Sequence, residues 1–395
     1  MEVLAVWEDD EAARFRVVLD RFEALSGARV SYVSTAGADI GTVLDARLAT
    51  DSAPDVAIVP LPSLIARYAR EGVLVPLDDL VGRDVRARFP RVWRELGTVD
   101  GHLYGVWVKA AHKSLIWYRI GVFEDDGVVP PTTLDGLERL VRTLAEQGVP
   151  AFAVGGADAW TLTDWFENLY LRWAGPQRYD ALARGDLAWT DPTVVETLSG
   201  MARLLAPDHV VGGAGGALGT TFPQSVQQVF GPSPSAAMIA GGNFVAGFVR
   251  AGTASRLGVD ADVFLFPEAQ RGARLVVGGG DAVVLLRRTP AGEALVRFLA
   301  GPEAGELWAG LGGFLSPNTD VDLTAYPDDR TRFLARTLLE AGDEFRFDLS
   351  DLLPPELGGT AGSGLLGILQ RFLQEPSDPV GTAQLIELAA TSTAG

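Results

Sequence analysis

Apolar positions change their period along this chain, and each change marks an element. Near the N-terminus "VLAVW" is an unbroken apolar run, as a strand covered on both faces requires. "DEAARFRVVLDRFEALSG" then shifts to a helical period and stops at Gly27, and "ARVSYVS" returns to strand. The alternation continues with helix "DIGTVLDARLAT", strand "PDVAIVP" and helix "SLIARYAREG", closed by Gly72. Strands alternating with helices of this length predict a mainly parallel sheet covered on both faces. Ligands of such sheets bind beyond the carboxyl ends of the strands. Those ends are Trp7-Glu8-Asp9-Asp10, Ser34–Asp39 and Pro60-Leu61-Pro62-Ser63.

"HLYGVWVKAAHKSLIWY" predicts a long extended stretch, followed by a helix in "VVPPTTLDGLERLVRTLAEQG" with Thr133 at its cap. A helical section covers about 160–230. Strand character returns at "SAAMIAG", "ADVFLFP" and "ARLVVGGGDAVVLL", then come helices in "TPAGEALVRFLAG" and "PEAGELWAGLGG". The tail after "FLSPN" is helical and loop-rich.

One segment concentrates aromatic residues: "WTLTDWFENLYLRW", Trp160–Trp173. Leu162, Trp165, Phe166, Leu169, Tyr170 and Trp173 fall on one helical stripe, with Asp164, Glu167, Asn168 and Arg172 mostly off it. Trp165 and Trp173 are therefore expected in the core. Trp160 precedes Thr161 and Thr163, two candidate N-caps, and follows the flexible "GGADA". It is either a hydrophobic staple or a contact residue at a loop mouth.

At 395 residues the chain suggests two or three domains. A net charge of −18 disfavours nucleic acid and anionic membranes as partners. Without Cys there is no disulfide, thiolate nucleophile or zinc–thiolate site. Of 33 basic residues only Lys109 and Lys113 are lysines, and both lie in "VKAAHKS". Four apart on a strand they share a face, and ion pairs with carboxylates are their expected role.

Catalytic motifs are missing. "VVGGAGGALGTT" has neither the G-x-G-x-x-G spacing nor a P-loop ending, and "VGGGDA" leads from strand to strand. There is no G-x-S-x-G, and His102, His112 and His209 make no metal-binding spacing. Glu8, Asp9 and Asp10 form an acidic tip, explained as a helix start or as a binding group. No metal and no cofactor are expected.

The order of several segments resembles the extracellular solute-binding proteins of ABC importers, in the carbohydrate-binding group that includes maltose-binding protein. The pieces are "VLAVWEDDEAARF", "PDVAIVPLPSLIARYAREGVLVPLDDL", "HLYGVWVKAAHKSLIWYRIGVFEDDGVVPPTTLDGLERL", "WTLTDWFENLYLRWAGPQRYDAL", "AAMIAGGNFVAGFV", "GGGDAVVLL" and "GGFLSPN". "KSLIWY" and "TDWFENLYLR" are similar to actinobacterial members. The resemblance implies an α/β, two-lobe type II fold, with ligand in a cleft between lobes joined by hinge segments. Lobe 1 would comprise 1–108 and 267–315, and lobe 2 109–266 and 316–395. The crossovers would lie near Val108–Lys113, Phe264–Pro267 and Leu315–Asn318.

The same resemblance implies the site. Trp7, Glu8 and Asp9 would hydrogen-bond or stack on ligand, beside Leu61 and Pro62, where many relatives carry a polar residue. Trp160, with Asp158 and Asp164 nearby, matches a sugar-contacting loop. Asn243-Phe244 matches a Gly-x-Trp turn whose aromatic stacks on a sugar, here with Phe in place of Trp. Lys109, Gly280 and Asp281 would lie by the hinge. The implied function is capture of a sugar, an α-glucoside or other oligosaccharide, by lobe closure, and delivery to an ABC permease. The protein would be a monomeric cell-surface lipoprotein whose signal and anchor Cys lie outside this sequence. Alternatives are a binding protein for a glycerophosphodiester, favoured by a cationic pocket at Lys109 and Lys113, and a carbohydrate-active enzyme.

Overall fold

The computed structural model describes residues 1–35, 39–125, 127–269, 274–358 and 364–393. Of the strand-end segment Ser34–Asp39, residues 36–38 lie outside the described residues. The chain divides into two compact units, one of Met1–Ala111 with Gly279–Phe345 and one of His112–Gly278 with Arg346–Gly395.

The first unit is built on the predicted β/α alternation. Strands β1 (Glu2–Ala5), β2 (Ser31–Ser34) and β3 (Val56–Val59) are followed by β4 (Thr98–Val99), β5 (His102–Leu103) and β6 (Gly105–His112). β1 pairs in parallel with both β2 and β3, as the intervening helices demand. Strand β10 (Val276–Leu285) closes on β3 in antiparallel fashion, Ala282 opposite Val59 and Leu285 opposite Val56. Every residue of β3 is buried, which is why its sequence is apolar without alternation. The first long helix runs Asp9–Ser26 and stops at Gly27, whose φ of 72° only glycine adopts without strain. Asp9, Asp10 and Glu11 occupy its first turn, where the helix dipole favours negative charge.

The second unit has a three-stranded sheet, with β7 (Leu115–Arg119) between β8 (Met238–Ala240) and β9 (Ala261–Leu265), antiparallel to both. Helices Leu134–Glu146, Trp160–Ala174, Pro192–Leu204 and Gly364–Gln374 contribute to one hydrophobic core with Ile116, Met238 and Phe264 of this sheet. Thr133 caps the first of these, accepting a hydrogen bond from the Gly136 amide. The "VVGGGDAVVL" segment is one strand, β10 (Val276–Leu285), and the last strand is β11 (Phe345–Phe347). β10 belongs to a six-stranded sheet ordered β11-β10-β3-β1-β2, with β6 also on β10.

Unit boundaries fall later in the chain than expected, for identifiable reasons. Residues 267–269 and 274–278 attach to the second unit: Arg172 donates to the carbonyls of Phe266, Pro267 and Leu275, and Val277 N–H donates to Ser114 Oγ. Residues 316–345 attach to the first unit. Asn318 Nδ2 donates to Ala300 O, Thr319 N–H donates to Arg88 O, and the Trp93 and Phe345 rings lie 4.5 Å apart.

The Trp160–Ala174 helix corrects two expectations. It starts at Trp160, one residue after Ala159, and neither Thr caps it: Thr161 Oγ1 donates to Gly155 O and Thr163 Oγ1 to Trp160 O. Nor is its polar side solvated. Asp164, Glu167, Asn168 and Arg172 are as buried as Trp165, while Trp173 is only partly so. Periodicity sees only the apolar stripe; the polar face is covered by Lys113, Ser114 and Pro267, which are remote in sequence. Among the described residues, no helix is long and apolar enough to cross a membrane.

Candidate functional site

In the first unit, β1 delivers Trp7 into the core rather than to the surface. Its indole is 3% exposed, edge-on to Phe15 at 4.9 Å and Trp308 at 5.0 Å, and Tyr32 Oη donates to its carbonyl at 2.6 Å. The Lys109 ammonium sits 4.9 Å from its ring centroid, a cation–π arrangement. Lys109 also pairs with Glu11 and, at 3.6 Å, with Asp281. Burial pulls the Lys109 ammonium below the ordinary lysine range and pushes the Asp281 carboxyl up, and their attraction opposes both shifts. Burial, then the charges of Glu8 and Asp281, push the Tyr32 hydroxyl up to about 12.

Glu8 and Asp9 are the exposed members of this group. Glu8 stands at the helix N-cap position, and Ser34 Oγ donates to its Oε1 at 3.3 Å. Asp9 has φ 46°, a left-handed conformation that costs an ordinary residue of order 1 kcal/mol or more. Leu61 and Pro62 begin the next helix, half-buried and apolar. Gly280 is glycine because a Cβ there would lie 2.5 Å from Lys109 O.

In the second unit three aromatic rings meet. Trp160 is 4.9 Å from Phe222 and 5.9 Å from Phe244, and Phe222 is 5.5 Å from Phe244. Trp160 and Phe244 are partly exposed, whereas Phe222 is buried. Asp158 fixes this group by accepting the Phe222 N–H at 2.5 Å. Ala159, immediately before Trp160, is held at φ 61°. Asn243 is locked to His112 in both directions, accepting its N–H at 2.9 Å and donating its own to the His112 carbonyl at 3.0 Å. Gly242 lets Phe244 fold back over the chain, since a Cβ would meet that ring at 2.5 Å. Phe222 was not singled out from sequence: it begins a helix behind the Thr221 capping box, and nothing local ties it to Trp160.

Beneath Trp160 lies a buried charge cluster. Lys113 Nζ is 5.6 Å from the Trp160 centroid, 3.2 Å from Asp164 Oδ1, and paired with Asp348. Glu167 completes it, accepting the Ser350 N–H at 3.0 Å. Asp164, Glu167 and Asp348 each offer an oxygen within 4.8 Å of the others, close enough to surround one cation. The Lys113 ammonium supplies that charge, pairing two of the three. Burial works against this ammonium, but Asp164 and Asp348 outweigh it and hold it well above the usual lysine range. Burial and neighbouring carboxylates push Glu167 well up, and burial raises Asp164 to about 7 against the pull of Lys113. Asp164 lies inside this cluster, and both lysines are committed to carboxylates.

The described chemistry is that of recognition: aromatic faces backed by fixed charges, with the buried carboxylates tied to Lys113 or to a backbone amide. Comparison with known proteins agrees. Residues 7–306 match the model of the bacterial extracellular solute-binding protein family. The osmoprotective compounds-binding protein of Synechocystis sp. is 33% identical over 374 residues, covering 92% of this chain and 87% of that one. The alpha-glucosides-binding periplasmic protein of Rhizobium meliloti is 31% identical over 376 residues, covering 91% and 81%. Among solved structures, a chitin oligosaccharide binding protein superposes with a TM-score of 0.82 at 20% identity, covering 100% of this chain and 99% of that one. A bacterial solute receptor with a preference for β-D-galactopyranose gives 0.82 at 18%, covering 100% and 98%. These structural likenesses establish the fold, that of the type II solute-binding proteins. With the family model covering most of its length and both full-length relatives above 30% identity, the chain belongs to the bacterial extracellular solute-binding proteins.

Proposed function

We propose that this protein captures a carbohydrate of the α-glucoside class outside the cytoplasm and presents it to the permease of an ABC importer. The observation that carries the reading is the partly exposed Trp160–Phe244 pair, braced by buried Phe222 and by the Lys113 cluster. A pyranose presents an apolar C–H face and a rim of hydroxyls. Aromatic rings match the face, and charged acceptors such as Glu8 and Asp9 suit the hydroxyls, at about 1.5–3 kcal/mol per charge-assisted hydrogen bond. The relative named for α-glucosides supports the class. Binding without turnover is supported by the ties on Asp164, Asp348 and Glu167. The family description supports an extracellular setting, and a lipid anchor and a monomeric state complete the proposal. A phosphodiester ligand is less well supported, because Lys109 and Lys113 are both paired with carboxylates.

Thermal unfolding against a panel of mono-, di- and trisaccharides, glycerophosphodiesters and amino acids tests this. A saccharide at about a hundred times its Kd stabilises by about 2.7 kcal/mol, a readily measured shift. Loss of that shift in Trp160→Ala and Phe244→Ala is the expected result. Stabilisation by phosphodiesters or amino acids alone removes the carbohydrate assignment.

A further inference from the structure

A cavity lies in the first unit between helices Asp78–Arg88 and Arg91–Leu96 and the β4–β5 hairpin. It has a volume of about 370 Å³, and Arg86, Arg91, Arg94, Thr98, Asp78 and Glu95 are among the residues that line it. Three guanidinium groups bordering one cavity is unexpected in a chain of net charge −18.

The two lining carboxylates do not account for them. Asp78 Oδ2 accepts the Leu103 N–H at 3.1 Å and faces His102 at 3.5 Å, and Glu95 pairs with Arg91 at 3.4 Å. Arg91 reaches Asp343 at 3.5 Å as well. Arg86 and Arg94 make no ion pair among the described residues. Arg86 lies across Gly82, its Nη1 3.5 Å from where a Cβ would stand. Arg94 Nε is buried and has no hydrogen-bond acceptor among the described residues. Arg86 and Arg94 therefore bring to this cavity two guanidinium groups that no carboxylate among the described residues pairs.

We propose that this cavity is a binding site for a small phosphate-bearing anion, held by the guanidinium groups of Arg86 and Arg94 with Arg91 at its rim. A tetrahedral dianion suits the arrangement because its oxygens accept from two guanidinium forks at once. The Thr98 hydroxyl, which now donates to Arg94 O at 2.8 Å, lies on the same wall. The volume exceeds one phosphate group, so free phosphate and a phosphate monoester both fit. The site is distinct from the aromatic residues of the second unit, and the proposal stands independently of the carbohydrate reading.

The test is isothermal titration at pH 7.5 and low ionic strength with inorganic phosphate and, separately, glycerol phosphate, against sodium chloride at matched ionic strength. Phosphate-dependent heat, abolished by added salt, is expected. Arg86→Gln and Arg94→Gln should each weaken binding about tenfold or more, the loss of a charge-assisted contact. Tighter binding of the monoester would identify the larger ligand as its source. Should Arg94→Gln fail to fold, Arg94→Lys keeps the charge but loses the fork, and surface-exposed Arg86→Gln remains. Saccharide-induced stabilisation is to be measured in Arg86→Gln, where its retention separates this site from the carbohydrate one. No heat beyond that of chloride, or heat undiminished in these variants, overturns the proposal.

Discussion

Trp160 and Trp165 share a helix and differ in what surrounds them. Trp165 is 2% exposed, edge-on to Phe152 at 4.9 Å and Phe266 at 5.5 Å. Trp165→Ala leaves a cavity in that cluster and should cost about 3–5 kcal/mol in denaturant unfolding. Trp160→Ala removes a partly exposed ring and should cost about 1 kcal/mol while abolishing saccharide stabilisation. Equal stability losses in the two variants would assign Trp160 to the core. The charge cluster beneath gives a second prediction, of pH dependence. Asp164 is raised from 3.8 to about 7, so between those values the folded state holds a proton that the unfolded state has released. Its contribution is therefore full near pH 4 and lost as pH rises toward 7, and raised Glu167 acts in the same sense. His112 opposes them. Burial and then Arg172 lower it from 6.5 to about 3, so its contribution is lost as pH falls below 6.5. Two acids against one base leave a net loss of stability from pH 5 to pH 7.5. Glu167→Gln mimics the protonated acid and should flatten that slope, measured by urea unfolding across the range. An unchanged slope in Glu167→Gln would show that Glu167 is ionised in the fold.

At the scale of elements, the Trp160–Ala174 helix packs on helix Pro192–Leu204, and Gly200 is where they meet. A Cβ at Gly200 would lie 2.0 Å from the Trp173 ring. Alanine is the better helix former by about 1 kcal/mol, yet Gly200→Ala should destabilise by about 1–3 kcal/mol because the ring must move. Combining it with Trp173→Leu should recover part of the loss, and a stabilising Gly200→Ala would refute the contact. This junction also marks where sequence patterning stops being informative. The β/α alternation, the Gly27 stop and the Thr133 cap were legible because each depends on neighbours within a few residues. Burial of Glu167 and Asp164 was not, since their partners Lys113, Asp348 and Ser350 come from two stretches remote from the helix. The aromatic group was half legible: Trp160 and Phe244 stood out by position, but Phe222 joins them only through the fold. The later unit boundaries have the same cause, because 316–345 is held by Arg88, Trp93 and Ala300.

For the whole molecule the governing quantity is charge, 51 acidic against 33 basic residues. Many arginines lie in exposed pairs such as Arg184–Asp186 and Arg288–Asp79, where solvent screening leaves each pair little weight. Eighteen uncompensated negative charges repel one another through solvent, and that repulsion is long-ranged at low salt. Added sodium chloride weakens both effects. The pairs are local and small while the repulsion is global, so raising salt from about 10 mM to about 0.15 M, which shortens the screening length from about 30 to about 8 Å, should raise the thermal midpoint. The two candidate sites respond differently to the same change. A saccharide is neutral, so its affinity should stay within about twofold across this range, whereas phosphate binding at Arg86 and Arg94 should fall steeply. Titrating both ligands across one salt series checks this. Parallel salt dependence would mean that the two ligands share one charged site, and would end the separation of the aromatic residues around Trp160 from the arginine cavity.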